Sequence, residues 1–264
     1  MKKILPIATL AILAVQQPSH ALFGIGVSYG RNLSSIGSAN ASLTGGDIPA
    51  VLGGFAQDQG LGVPTLNLTR TAIDGLTQLG VKTWLDLPLI PVEFEGGANL
   101  AYGTYISDLT LTDGTNSVKV PTSLDLPMGL GSGKTPYSTL ALDVSIRYPF
   151  LTLPPLSPLK PLKFYAGGGV SWFYGTRLID KSDISKVFSG DATGTIDQAA
   201  LQTKLNNNLY STAFGGHLLL GAQFKVPVLP LAFFVDGKWY LNAATSDAAP
   251  KYPLAVSAGL GLAI

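Results

Sequence analysis

Pro88-Leu89-Ile90-Pro91-Val92-Glu93-Phe94-Glu95-Gly96-Gly97 is the stretch that decides the fold. Two prolines bracket a corner, and beyond it apolar residues alternate with charged or small ones. The pattern returns as Pro158-Leu159-Lys160-Pro161-Leu162-Lys163-Phe164-Tyr165-Ala166-Gly167-Gly168 and as Pro227-Val228-Leu229-Pro230-Leu231-Ala232-Phe233-Phe234-Val235-Asp236-Gly237. Proline cannot donate to a strand ladder, so each pair marks where one strand stops and the next begins. Three such hairpins, with one further strand at each end of the chain, make eight strands. Eight strands close a sheet into a barrel just wide enough for side chains to fill.

The alternation extends through every predicted strand. Residues 92–102 are the clearest: Val92, Phe94, Ala98, Leu100 and Tyr102 on one face, Glu93, Glu95, Gly97 and Asn99 on the other. The same two-residue period is read near residues 23–29, 78–87, 140–148, 162–174, 214–226, 231–242 and 254–264. One face is greasy throughout. The other is glycine, serine and charge.

The mean hydropathy is high, +0.32, while only 12% of the residues are charged. A soluble domain usually carries about 25% charged residues. Yet beyond the N-terminus no apolar run approaches the roughly 20 residues of a spanning helix. Hydrophobicity without a run means hydrophobicity on alternate positions, as in a membrane barrel. The chain begins with Lys2 and Lys3, an apolar stretch Ile4–Val15, and a small-x-small site at Ser19-His20-Ala21. Residues 1–21 are therefore predicted to be a secretory signal peptide and residues 22–264 the barrel domain. Cysteine is absent and the net charge is +1, so thiol chemistry is excluded and nucleic acid is not expected as a partner.

Connection lengths alternate too. Long, Gly-, Ser-, Thr- and Asn-rich loops are predicted over 34–75, 109–136, 176–209 and 243–250, and mostly tight Pro-rich turns lie between them. Short turns on one rim and long loops on the other is the outer-membrane arrangement, with the short turns periplasmic. Within one long loop, Thr195 and Gln198 fit a capping box opening a short helix toward Leu209.

Aromatics should mark the membrane boundaries. Phe94, Phe164, Phe224 and Phe233 lie near the proline corners, and Tyr102, Trp172, Tyr174 and Trp239 lie toward the opposite strand ends. Eight residues separate Phe94 from Tyr102, roughly 20 Å of height in a tilted strand. The inward face then carries Asp86, Glu93, Glu95, Asp143 and Asp236 with Lys82, Arg147, Lys163, Lys225 and Lys238. Five acids balance five bases, so a salt-bridged interior without a wide channel is expected. Asp86, Glu93, Glu95, Arg147, Lys163 and Lys225 should cluster near the short-turn rim.

With these features the mature chain resembles the small eight-stranded outer-membrane β-barrels of Gram-negative bacteria, such as the OmpA, OmpX and OmpW barrels. The last strand contributes, with Leu254, Val256, Ala258, Leu260 and Leu262 alternating; Ile264 stands where such proteins typically end in Phe. The resemblance implies an all-β, antiparallel up-and-down transmembrane barrel in the cell outer membrane. Its partners would be outer-membrane lipid and lipopolysaccharide, the barrel-assembly machinery during biogenesis, and a surface ligand met through the outer loops.

Catalysis is not expected, nor any cofactor or metal. Gly129-Leu130-Gly131-Ser132-Gly133-Lys134-Thr135 lacks the first glycine of a phosphate-binding loop and is followed by Pro136. Gly24-Ile25-Gly26 reads as strand. The mature chain's one histidine, His217, is inward, and Ser145 or Ser171 could reach it only if the strand register allowed. The expected role is structural or surface-interacting. Alternatives are a narrow conduit for small or hydrophobic molecules, a lipid-modifying enzyme, and a soluble periplasmic carrier.

Overall fold

The computed structural model describes residues 23–48, 50–87, 90–120, 134–153, 161–176, 178, 210–227, 229–245 and 249–263. The predicted signal peptide, the helix predicted from Thr195 toward Leu209, Gly129–Gly133, Ile264 and parts of the proline corners lie outside these residues. In chain order the strands are β1 (Phe23–Ile36), β2 (Ala39–Thr44), β3 (Thr65–Arg70), β4 (Ile73–Asp86), β5 (Glu93–Tyr105), β6 (Ser107–Thr112), β7 (Ser117–Val120), β8 (Thr135–Leu153), β9 (Leu162–Thr176), β10 (Tyr210–Lys225), β11 (Leu231–Leu241) and β12 (Leu254–Ala263). Among the described residues one α-helix, α1 (Ala50–Asp58), lies between β2 and β3.

Eight of these strands form a closed antiparallel barrel in the order β1-β12-β11-β10-β9-β8-β5-β4. Successive barrel strands are neighbours, so the topology is up-and-down, and the seam is closed by β1 on β12 from Gly24↔Ala263 to Asn32↔Ala255. Closure removes every free edge from this sheet. The alternation sorts the side chains as period two demands: along β8, Leu142, Val144, Ile146 and Tyr148 are exposed, whereas Asp143, Ser145 and Arg147 are buried. Among the described residues no helix is long and apolar enough to cross a membrane.

The first two long connections differ from the loops expected of them. They hold β2, β3, β6 and β7, which form a second antiparallel sheet in the order β2-β3-β6-β7. Its apolar side, with Leu43, Leu66, Leu68, Leu109 and Leu111, packs on Leu52 and Ala56 of α1 as a core of its own. The other side presents hydroxyl, amide and paired charged groups in register, including the row Ser42↔Asn67↔Thr110↔Lys119. Strands of four to six residues separated by Gly, Ser and Asp read as loop because each offers only two or three turns of the period.

This sheet prolongs the barrel wall. Only Thr71-Ala72 joins β3 to β4 and only Ile106 joins β5 to β6, and Thr71 N–H donates to Ile106 C=O at 2.9 Å. Burial alternates without a break from Tyr105 through Ser107, Leu109 and Leu111. The α1 side is thus continuous with the inner face of β5, and Asp108, Thr110 and Thr112 continue its outer face. A bulge where β1 meets β4 between Asn32 and Ser35 adjusts the wall below the extension. Gly75 stands opposite the bulge at φ +70°, a conformation that favours glycine.

Candidate functional site

The chemistry-bearing residues lie inside the barrel. All ten charged residues singled out above are in one connected network. Starting at the short-turn rim, Lys225 lies 4.0 Å from Asp86, and Asp86 pairs with Lys163 at 2.7 Å. Lys163 also reaches Glu93 at 2.6 Å, and Glu93 pairs with Arg147 at 2.6 Å. Arg147 holds Glu95 at 3.0 Å, and Glu95 contacts Lys82 at 3.6 Å and Lys238 at 3.1 Å. Lys82 ends on Asp236 at 2.5 Å, and Lys238 ends on Asp143 at 3.0 Å. Signs alternate along the whole chain of contacts, so no like pair is left without an opposite charge between its members. Asp86 and Glu93 are directly opposed across β4 and β5, and Lys163 bridges them. The network is not confined to the rim, because Lys82, Asp143, Asp236 and Lys238 carry it upward.

Aromatic rings wall in these charges. Arg147 lies 4.5 Å from the centre of the Tyr165 ring, and Lys82 lies 3.7 Å from that of Phe234. The Tyr165 hydroxyl donates to Asp236. Trp84 and Phe234 meet edge to face at 6.2 Å beside Lys82. Tyr165, Phe234 and Tyr240 had no place in the sequence-derived cluster. The available signal was parity: each stands two residues from an inward charge, Lys163, Asp236 or Lys238.

Above the ionic network sits a second polar group. Asp143 accepts from Asn99 Nδ2 at 2.8 Å, Ser171 Oγ at 2.8 Å, Lys238 Nζ at 3.0 Å and the Tyr240 hydroxyl at 3.0 Å. Ser171 Oγ is also 2.7 Å from His217 Nδ1, and Ser145 Oγ is 2.7 Å from His217 Nε2. The proton positions follow from the carboxylate. Ser171 donates to Asp143, so Nδ1–H donates to Ser171, and Nε2 accepts from Ser145. Register makes this meeting: Ser145 and His217 both pair with Gly169, one from each side. A Cβ on Gly169 would overlap the Val144 carbonyl and approach Ser145 Cα to 2.8 Å.

A hydroxyl bonded to an imidazole is the arrangement of a nucleophile and its base. Here both are sealed: Ser145, Ser171 and His217 are each 1% exposed. A pocket of about 440 Å³, its open mouth included, enters from the long-connection side and is lined by Asn99 and Tyr240. These two residues separate the pocket from Asp143. Ser145, Ser171 and His217 are not among the residues lining that pocket, and their hydrogen bonds satisfy one another's buried polar atoms. Among the described residues no cluster of His, Asp or Glu could hold a metal ion.

On the outside, Phe94, Tyr102, Trp172, Tyr174, Phe224, Phe233 and Trp239 are 39–54% exposed. Phe164 is half-buried and shares their outward parity. Phe94, Phe164, Phe224 and Phe233 fall within three residues of strand ends on the short-turn rim, and Tyr102, Trp172, Tyr174 and Trp239 lie toward the opposite ends. Tyr174 stacks on Tyr210 at 5.4 Å in this upper band.

No protein-family profile matches the sequence, and no curated protein matches it. Among solved structures the chain is similar to Neisserial surface protein A, NspA, at 10% identity and a TM-score of 0.45, over 92% of this chain and 97% of that one. It is also similar to the Acinetobacter baumannii outer membrane protein Omp33, at 8% identity and a TM-score of 0.20, over 94% of this chain and 100% of that one.

Proposed function

We propose that the chain is an integral protein of the bacterial outer membrane, exported by its N-terminal signal, that acts without catalysis. Its barrel is a non-conducting anchor, and its working surface is the sheet-and-helix extension beyond the rim. Outer-membrane lipid and lipopolysaccharide surround it, the barrel-assembly machinery receives β12 during biogenesis, and a surface ligand is met on the long-connection side. The observation that carries this reading is the pairing of a greasy outside with an ionic inside. Val144, Phe214, Leu220 and Trp172 are more than half exposed, while Arg147 and Glu95 have no more than 1% exposure. In water such an exterior would be an apolar patch far beyond what soluble monomers display. In hydrocarbon it is ordinary, and among sheets only a closed barrel satisfies every backbone group there.

The sealed interior supports a silent barrel over a conduit. Recording from purified protein in planar bilayers tests it: no discrete current steps are expected above those of protein-free bilayers. Reproducible unitary conductance would refute the anchor reading in favour of transport. Fractionation of cells should place the chain with outer-membrane markers, and recovery in the soluble periplasmic fraction would refute the membrane assignment.

A further inference from the structure

We infer that the exposed side of the β2-β3-β6-β7 sheet is a docking face for the saccharide headgroups of glycolipid in the surrounding outer leaflet. The inference rests on the membrane reading just given and names a partner for the extension. The first observation is continuity. The outward parity of β5 runs through Leu100, Tyr102 and Ile106 directly into Asp108 and Thr110, with no turn between. The surface changes from hydrocarbon-facing to hydroxyl-bearing along one strand. Thr110 is eight residues beyond Tyr102, roughly 20 Å higher in a tilted strand. That height is where headgroup sugars stand, and the face looks sideways toward them.

The second observation is chemical. The row Ser42↔Asn67↔Thr110↔Lys119 and the neighbouring pair Thr69↔Asp108 present alcohols and amides at strand spacing. Ser42 Oγ donates to Asn67 Oδ1 at 2.7 Å, which leaves the Asn67 NH₂ group as a donor. The two charges in these rows, Lys119 and Asp108, neutralise each other at 3.5 Å. A neutral grid of donors and acceptors matches sugar hydroxyls; a phosphate or a divalent ion would call for uncompensated charge. The opposite side of the sheet is occupied by α1, so among the described residues this is the uncovered side.

The chain has no cysteine, so one introduced thiol reports one position. Thr110→Cys, with Thr115→Cys at the exposed β6–β7 turn and Val144→Cys on the barrel wall, is reconstituted as the full mature chain in three vesicles. These contain phospholipid alone, phospholipid with core-stripped lipopolysaccharide, or phospholipid with full-core lipopolysaccharide. The rate of modification by a charged maleimide is measured. The expected result is at least a tenfold slowing at Thr110→Cys in full-core vesicles alone, with less than a twofold change at Thr115→Cys. Equal rates at Thr110→Cys in all three would overturn the inference, and equal slowing by core-stripped lipid would assign the face to acyl or phosphate groups instead. Slowing that rises with protein density in phospholipid alone would replace the sugar by a second copy of the chain. Val144→Cys separates the two proposals: it should be unreactive in every vesicle, and rapid labelling there would refute the membrane barrel itself.

Discussion

Arg147→Met removes the most enclosed cation of the barrel. Arg147 is 0% exposed and bonds Glu93 at 2.6 Å and Glu95 at 3.0 Å. At an effective dielectric near 20, each unit-charge pair about 4 Å apart contributes about 4 kcal/mol before desolvation is charged against it. The guanidinium's desolvation cancels much of this in the intact protein. That cancellation is lost when one partner goes, because Glu93 and Glu95 stay buried. Glu93 keeps Lys163, and Glu95 keeps Lys238 and Lys82, which moderates the loss. The expected destabilisation is about 3–5 kcal/mol. Adding Glu93→Gln restores equal numbers of buried acids and bases, so the double variant should be more stable than the sum of the singles by about 1–3 kcal/mol. The assay is reversible urea unfolding in phospholipid vesicles, followed by tryptophan fluorescence. Of the three tryptophans, Trp84 lies beside the network and Trp172 and Trp239 face outward, so both faces are reported. Lys119→Ala, at the exposed pair with Asp108, is the control and should change stability by no more than about 1 kcal/mol. If Arg147→Met costs no more than that control, the interior charges are solvated and the sealed-barrel reasoning fails.

Gly169→Ala forces a Cβ against the Val144 carbonyl and parts Ser145 from His217, so it should destabilise by about 1–3 kcal/mol in the same assay; an unchanged midpoint would contradict the close approach. Leu111→Ala empties a fully buried position in the extension's own core and should cost about 2–5 kcal/mol there. Amide exchange should then quicken in β3 and β6 while the barrel strands stay protected, and simultaneous loss in both would show that the two cores are one unit. Asp113 accepts the Asn116 and Thr115 backbone N–H groups at 2.7 and 2.9 Å, with a longer bond from Gly62, and these hold its carboxyl at about 2. Its pKa is lowered on folding, so the turn's contribution is complete above about pH 4 and is lost as pH falls through about 2. Carboxyl chemical shifts followed by NMR should give that midpoint, and titration near the ordinary Asp value would show that the turn's hydrogen bonds are not formed.

Local sequence determined the barrel and its two faces. A two-residue period assigns each side chain to lipid or interior before any partner strand is known, and Pro91 and Pro161, which lack an N–H, stand just before β5 and β9. From parity alone Glu93, Arg147 and Asp236 were placed inward, and Tyr165 and Tyr240 were equally legible by the same rule. Residues 65–69 and 108–112 also alternate, but over a span too short to separate strand from loop. They became strands because β4 and β5 deliver them side by side and α1 covers their leucines. Register was the other thing only tertiary structure could decide. Ser145, Ser171 and His217 lie on three strands, 26 to 72 positions apart, and a slip of one residue would turn one of them to the outside. Alternation is a property of each strand by itself; register and the fate of a short strand belong to pairs, fixed by the hydrogen bonds and packing of a neighbour that no local stretch encodes.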